Sequence, residues 1–381
     1  MKSNIRILCF FIFLLICSPA NYQITGFDGR GVVVIICTWI FLLLTKQLKR
    51  IKKHILNPPV ISWAVLMSYH LINAVGKTKT DIWHGGIPTT VVSVTLMILI
   101  SYIYCRNKLL LFKTLLVSTF YYLLIAYLYC NTTEADGRLS GFIYTTQLGQ
   151  LAGVTCIIIS MYLGVTQKMK LSFLYLYPLF IIVLAGARNG LLVAGFGFLC
   201  LFILYVFRNK KIIFAGCILL IVVSTFLEDT HLFERLTDTN HGEILLASNT
   251  FLDNILGERI FYYTMGIKNF MDCPITGIGL LNFMDYNNYT YILHSEIMTH
   301  LAEGGLIAFF IYLYFKFWFI KNFLKYASRN TPYLNQCIVA FLALVVLGIT
   351  ARIFQYNFFF ILYGIIIGEI LTNINKRTYL K

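Results

Sequence analysis

The chain has 381 residues, of which 59% are hydrophobic and 12% charged, with a formal net charge of +15. Soluble domains carry about a quarter charged residues and disordered segments carry far fewer apolar ones, so this composition excludes both classes. The basic excess would suggest nucleic acid in a soluble protein, but in an apolar chain its meaning depends on where the charges fall.

Apolar runs long enough for a hydrocarbon core of about 30 Å, roughly 17–25 residues, recur along the whole sequence. They predict spans near 5–20, 31–45, 58–75, 87–105, 109–129, 142–166, 171–187, 190–207, 212–227, 297–320, 337–351 and 358–373. Only helices satisfy every backbone group inside such a segment. The expected fold is therefore an all-α polytopic membrane protein of about twelve transmembrane helices. Nine lie in residues 1–227, a long external loop covers 228–296, and three more precede a cytoplasmic tail in 297–381. An even number of spans puts both termini on one side.

Lysine and arginine identify that side. With both termini inside, the inner segments hold Lys2, Arg6, Lys46, Lys49, Arg50, Lys52, Lys53, Arg106, Lys108, Lys113, Lys168 and Lys170. They also hold Arg208, Lys210, Lys211, Lys316, Lys321, Lys325, Arg329, Lys376, Arg377 and Lys381. These are 22 of the 31 basic residues. Of the 16 acids only Glu369 sits near the inner face, within the last helix. The positive-inside rule asks for this bias, so the net charge is a topology signal and no nucleic-acid partner is implied. The start of the chain, with Lys2 and Arg6 before an apolar run and Ser18-Pro19-Ala20, can alternatively be read as a signal peptide. Cysteines lie mostly within the spans; Cys130 and Cys273, near the outer face, are one conceivable pair.

The outer connections are short apart from residues 228–296, and long loops in compact proteins are usually functional. In that loop Ile255, Ile260, Tyr263, Ile267 and Phe270 recur at helical spacing before Pro274, which predicts an amphipathic helix on the membrane surface. Pro274-Ile-Thr-Gly277-Ile-Gly279 follows; its glycines allow a tight backbone near a ligand. His294-Ser295-Glu296 then opens the next span. Arginines mark three other outer turns: Arg138 after Glu134-Ala-Asp136-Gly, Arg188 in Gly186-Ala-Arg-Asn-Gly190, and Arg352 in Ala351-Arg-Ile-Phe354. Singly, each is explained by snorkelling; converging, they make a clamp for phosphate oxygens, which the guanidinium fork matches. Glu134 and Asp136 suit either a metal or, beside Gly137, an ordinary turn. His300 reads as a buried helix histidine, and capping of the helix that starts near 295 is the alternative role for His294.

Four blocks in order resemble the O-antigen polymerase and O-antigen ligase superfamily. They are Arg138-Leu-Ser-Gly141-Phe, Ala185-Gly-Ala-Arg188-Asn-Gly190, Arg259…Pro274-Ile-Thr-Gly277-Ile-Gly279…Asn282-Phe283, and His294-Ser295…Glu303-Gly304-Gly305. The chain departs from the pattern at Thr146-Gln147, where an Asn is common, and at Ala308, where a Gly is expected. The resemblance implies glycosyl transfer on the outer face of the bacterial inner membrane, from an undecaprenyl-diphosphate-linked oligosaccharide, inverting and without a metal or other cofactor. It implies His294 as catalytic base and Arg188 and Arg259 as diphosphate ligands; the outer-turn positions of Arg138 and Arg352 make them further substrate-binding candidates. Glu296 or Glu303 are candidates for orienting the imidazole, and a flippase and a chain-length regulator are candidate partners. The short main loop and the Glu303-Gly304-Gly305-Leu306 ending look somewhat more like a polymerase than a ligase. A transporter of lipid-linked oligosaccharide is the alternative of a different class, although no internal repeat of the kind carriers often show is visible.

Overall fold

A computed structural model of the protein describes residues 2–25, 30–77, 82–129, 145–205, 258–287, 293, 295–326, 332–352 and 356–378. Among these every regular element is helical. In chain order they are α1 (Lys2–Thr25), α2 (Arg30–Leu44), α3 (Leu48–Ile55), α4 (Pro58–Ala74), α5 (Ile82–Arg106), α6 (Lys108–Leu128) and α7 (Thr145–Thr166). A 3₁₀ turn (Met169–Tyr175) leads into α8 (Leu176–Leu184) and α9 (Arg188–Tyr205). After a gap come α10 (Glu258–Asp272), α11 (Phe283–Asn287), α12 (Glu296–Tyr326), α13 (Pro332–Thr350) and α14 (Phe359–Thr378). Among the described residues five helices are long and apolar enough to cross a membrane, or six if the bent pair α3–α4 is one broken span. The protein is an integral membrane protein by composition and helix content. The span expected near 212–227 lies outside the described residues.

Two features depart from the pattern read in the sequence. The basic stretch after α2, expected as an inner loop, is the helix α3, which meets α4 at 73°. Ile51 and His54 are buried on one side of it while Lys49, Arg50, Lys52 and Lys53 face out. Pro58 and Pro59 open α4 at its first turn, where a missing N–H costs nothing, and their rings prevent α3 from continuing.

The second departure concerns α12. The run expected as a straight span from 297 to 320 folds back on itself. Residues 296 and 316 of a straight helix would stand about 30 Å apart, yet Lys316 Nζ lies 3.2 Å from Glu296 Oε2. Tyr312 donates to the same oxygen at 3.0 Å, and the His300 and Tyr312 rings are 4.6 Å apart. The fold-back occurs at Gly305, whose φ of 64° and ψ of −165° are non-helical and are tolerated almost only by glycine. The short arm, 296–304, thus lies antiparallel to the first part of the long arm, 306–326.

Close helix contacts are made through small residues, as expected where lipid replaces water as solvent and packing must drive association. Gly149 and Gly153 of α7 meet Ala187, Gly190 and Val193 at the start of α9, and Gly197 lies on Cys156. Gly364 and Gly368 of α14 seat Ile100 and Tyr104 of α5 in the same way. At the end of that interface Lys108 pairs with Glu369 at 2.6 Å, and Tyr104 donates to the same carboxylate at 2.8 Å.

Candidate functional site

The site grows from the break in α12. Breaking a helix orphans the carbonyls of its last turn and the N–H groups of the next, and here a neighbouring loop supplies the missing partners. The segment 274–282 lies across the break: Ile278 N–H donates to Ala302 O at 3.0 Å and Gly279 N–H to Glu303 O at 2.9 Å. In the reverse direction Leu306 N–H donates to Pro274 O at 2.9 Å and Ile307 N–H to Ile275 O at 3.4 Å. Gly277 and Gly279 have φ of 68° and 103°. A Cβ on Gly277 would strike the Glu303 carbonyl, and one on Gly305 would strike the Ile275 carbonyl. The close approach that glycines at 277 and 279 permit is therefore to the broken helix; the sequence had suggested a ligand.

The end of α4 closes the junction from the other side. Tyr69 donates to Gly304 O at 3.1 Å. Asn73 donates to Thr276 O at 2.6 Å and Glu303 O at 3.2 Å, and Lys77 donates to Gly277 O and Thr276 Oγ1, both at 3.1 Å. One turn deeper His70 Nε2 and His300 Nδ1 share a hydrogen at 2.8 Å, with Trp63 edge-on to His300. His300 is the buried helix histidine expected; its partner His70 is not apparent from the sequence, because nothing local links residues 230 positions apart.

Charges at the junction are buried and paired. Glu303 is fully buried, and its Oε2 accepts from Arg352 Nη2 at 2.5 Å and from Leu281 N–H at 3.0 Å. Arg352 is 2% exposed. One ion pair thus ties the helix break, the glycine loop and the chain leaving α13. Burying two charges is tolerated when each is hydrogen-bonded, whereas removing one partner costs about 3–5 kcal/mol. At the free end of the short arm, Ser295 caps the helix, its Oγ accepting from Met298 N–H and donating to Gly348 O, both at 3.4 Å. Glu296 next to it is bonded to Tyr312 and Lys316.

α10 packs on this hairpin. Tyr263 donates to Ile349 O, and Tyr263, Met265 and Cys273 join Ile278, Phe283, Leu293, Met298 and Ala302 in one apolar cluster. Ile267, Met271 and Ile275 are more than half or nearly half exposed on the other side, at 50%, 70% and 64%. The helix is two-sided, but the faces differ from those the spacing predicts: Gly266 and Asn269 are buried and Tyr263 is packed, while Ile267, expected on the same face as Tyr263, is exposed.

Of the residues singled out in the sequence, Glu303 and Arg352 meet directly, and Glu296 lies at the other end of the same arm. Arg188 begins α9 and Arg259 is the second residue of α10, one turn before Tyr263; their side chains are outside what is described. His294, Arg138, Glu134, Asp136 and Cys130 also lie outside the described residues. Residues that sequence reading passed over are Tyr69, Asn73, Tyr312, Tyr363 and, most informatively, Lys316. It was assigned to the inner face, yet it is buried against Glu296. Its signal was present: a lone lysine within Phe-Ile-Tyr-Leu-Tyr-Phe-Lys-Phe-Trp-Phe is the type of intramembrane charge that is retained only with a partner.

No curated protein matches the chain. Residues 172–313 match the family model described as O-antigen ligase (Wzy_C). That segment holds α8, α9, α10, the glycine loop, the short arm and the first residues of the long arm, though not the block at Arg138. The match covers 142 of the 381 residues, and over that segment it supports the resemblance to the O-antigen ligase and polymerase superfamily.

Proposed function

We propose that the protein polymerises a surface polysaccharide, joining undecaprenyl-diphosphate-linked repeat units on the outer face of the inner membrane through a twelve-span fold with cytoplasmic termini. The supporting observation is that the loop Pro274–Gly279 exchanges four backbone hydrogen bonds with Ala302, Glu303, Leu306 and Ile307 across the α12 break. These bonds hold the helix that His294 precedes. In this reading the acceptor hydroxyl attacks the anomeric carbon of the donor glycan while His294 takes its proton. The bond from that carbon to the phosphate oxygen breaks with inversion, and undecaprenyl diphosphate leaves. Arg188 and Arg259 stabilise the charge that develops on the leaving diphosphate, a task that suits guanidinium groups without a metal.

The description of the matching family as an O-antigen ligase favours a second reading, transfer of the same donor to a lipid A-core acceptor. The donor chemistry is shared and the acceptor differs. Deleting the protein and profiling surface glycan on gels separates the two: a single repeat unit on core indicates a polymerase, and complete loss of attachment a ligase. His294→Ala should abolish the product at normal membrane abundance. Arg188→Lys and Arg259→Lys should lose most of it, because lysine keeps the charge but not the fork. An unchanged glycan ladder in all three would sink the mechanism.

A further inference from the structure

The Glu296–Lys316 pair is not explained by the chemistry above. Glu296 is 1% and Lys316 7% exposed. The carboxylate Oε2 receives Tyr312 OH at 3.0 Å and Lys316 Nζ at 3.2 Å, and Lys316 also donates to Tyr363 of α14. α13 contributes an absence: a Cβ on Gly348 would come within 2.7 Å of that carboxylate oxygen. Four segments (the short arm, the long arm, α13 and α14) are therefore shaped around one ion pair.

Stability alone does not require it. A buried ion pair replaced by well-packed apolar residues is often neutral or more stable, and the best-attested use of buried charge is to fix register. Near the break the arms are stapled by the glycine loop, but towards the far end their direct contacts are the His300 and Tyr312 rings and the Glu296–Lys316 pair, with Ser295 bonded to Gly348 O of α13. The charges stand at the far end from the turn, where a small rotation about Gly305 would displace residue 296 most. His294 lies two residues beyond.

We propose that Glu296 and Lys316, with Tyr312 and Tyr363, form a positioning clasp that fixes the height of the short arm along the long arm, and so places the base against the acceptor hydroxyl. The clasp rests on the reading of His294 as base. Its members are positioning residues; none is assigned contact with substrate.

The test uses the full chain in membranes, with lipid-linked glycan extracted from the same cells as substrate. Initial rates are compared for the wild type, His294→Ala, the pair-deleted variant Glu296→Leu/Lys316→Met, and the pair-reversed variant Glu296→Lys/Lys316→Glu. Thermal unfolding is measured on each in detergent. The clasp predicts that the pair-deleted variant melts with the wild type but loses about 10–100-fold in kcat, the scale of a misplacement near 1 Å, with KM nearly unchanged. The reversed pair should recover most of that rate, since both tyrosine hydroxyls can either donate or accept. A pair-deleted variant that folds and turns over like the wild type, while His294→Ala is inactive, overturns the clasp. If His294→Ala stays active, the base assignment fails instead, a different result from a different variant. Should the pair-deleted protein not accumulate, the reversed pair decides: near-wild-type rate supports the clasp, and a folded but slow enzyme refutes it.

Discussion

Gly305→Ala is the sharpest perturbation of the hairpin. At φ 64° and ψ −165° an alanine occupies a region essentially reserved for glycine, at a cost of about 1–3 kcal/mol. Its Cβ would also meet the Ile275 carbonyl and Gly277 N, so the loop must withdraw. The two hydrogen bonds beside it, Leu306 N–H to Pro274 O at 2.9 Å and Ile307 N–H to Ile275 O at 3.4 Å, then weaken, at about 1 kcal/mol each. Together the loss is about 3–5 kcal/mol, roughly two to three and a half powers of ten in the folding equilibrium at about 1.4 kcal/mol per decade. The assay is thermal unfolding of the detergent-solubilised protein alongside membrane abundance. Gly195→Ala is the control: its Cβ has nothing within 4 Å, it is inside α9, and alanine is the better helix former by about 1 kcal/mol. Gly305→Ala should melt well below wild type and Gly195→Ala at or above it. Equal melting of the two variants would show that the break and its loop are not held as described.

The buried pair at the junction gives a second expectation: Glu303→Gln alone leaves Arg352 without its carboxylate and should cost about 3–5 kcal/mol, whereas Glu303→Leu/Arg352→Met should recover much of it, read from melting temperatures in a double-mutant cycle. Gly149→Val should separate α7 from the start of α9, because its Cβ already collides with Ala187; overpacking of this kind costs about 1–3 kcal/mol or more, and abundance together with melting reports it. Lys108→Ala should matter less than Glu303→Gln, since Lys108 is part-exposed at 26% and the buried Glu369 carboxylate keeps Tyr104 and Asn373 as donors; a larger loss of melting temperature than Glu303→Gln would contradict that ranking.

The sequence made the helical class legible because the solvent imposes it: long apolar runs in lipid have no other way to satisfy their backbone. The matched segment was legible for a local reason, since Pro274, Gly277, Gly279, Glu303 and Gly305 stand at fixed short spacings. Their purpose was not legible. The glycines read as room for a ligand until Gly277 was seen packed on the Glu303 carbonyl. The spacing predicts a helix before Pro274, and α10 is one, but Ile267, which the spacing groups with Tyr263, is exposed while Tyr263 is packed.

The helical, membrane-embedded class was thus determined by the chain itself, because hydropathy acts residue by residue against the membrane. Only the tertiary structure decided that α12 turns back at Gly305, that Arg352 is buried on Glu303 and that Lys316 belongs to Glu296. Which charge meets which depends on how helices distant in sequence are placed, and a straight reading of 297–320 puts those two partners about 30 Å apart.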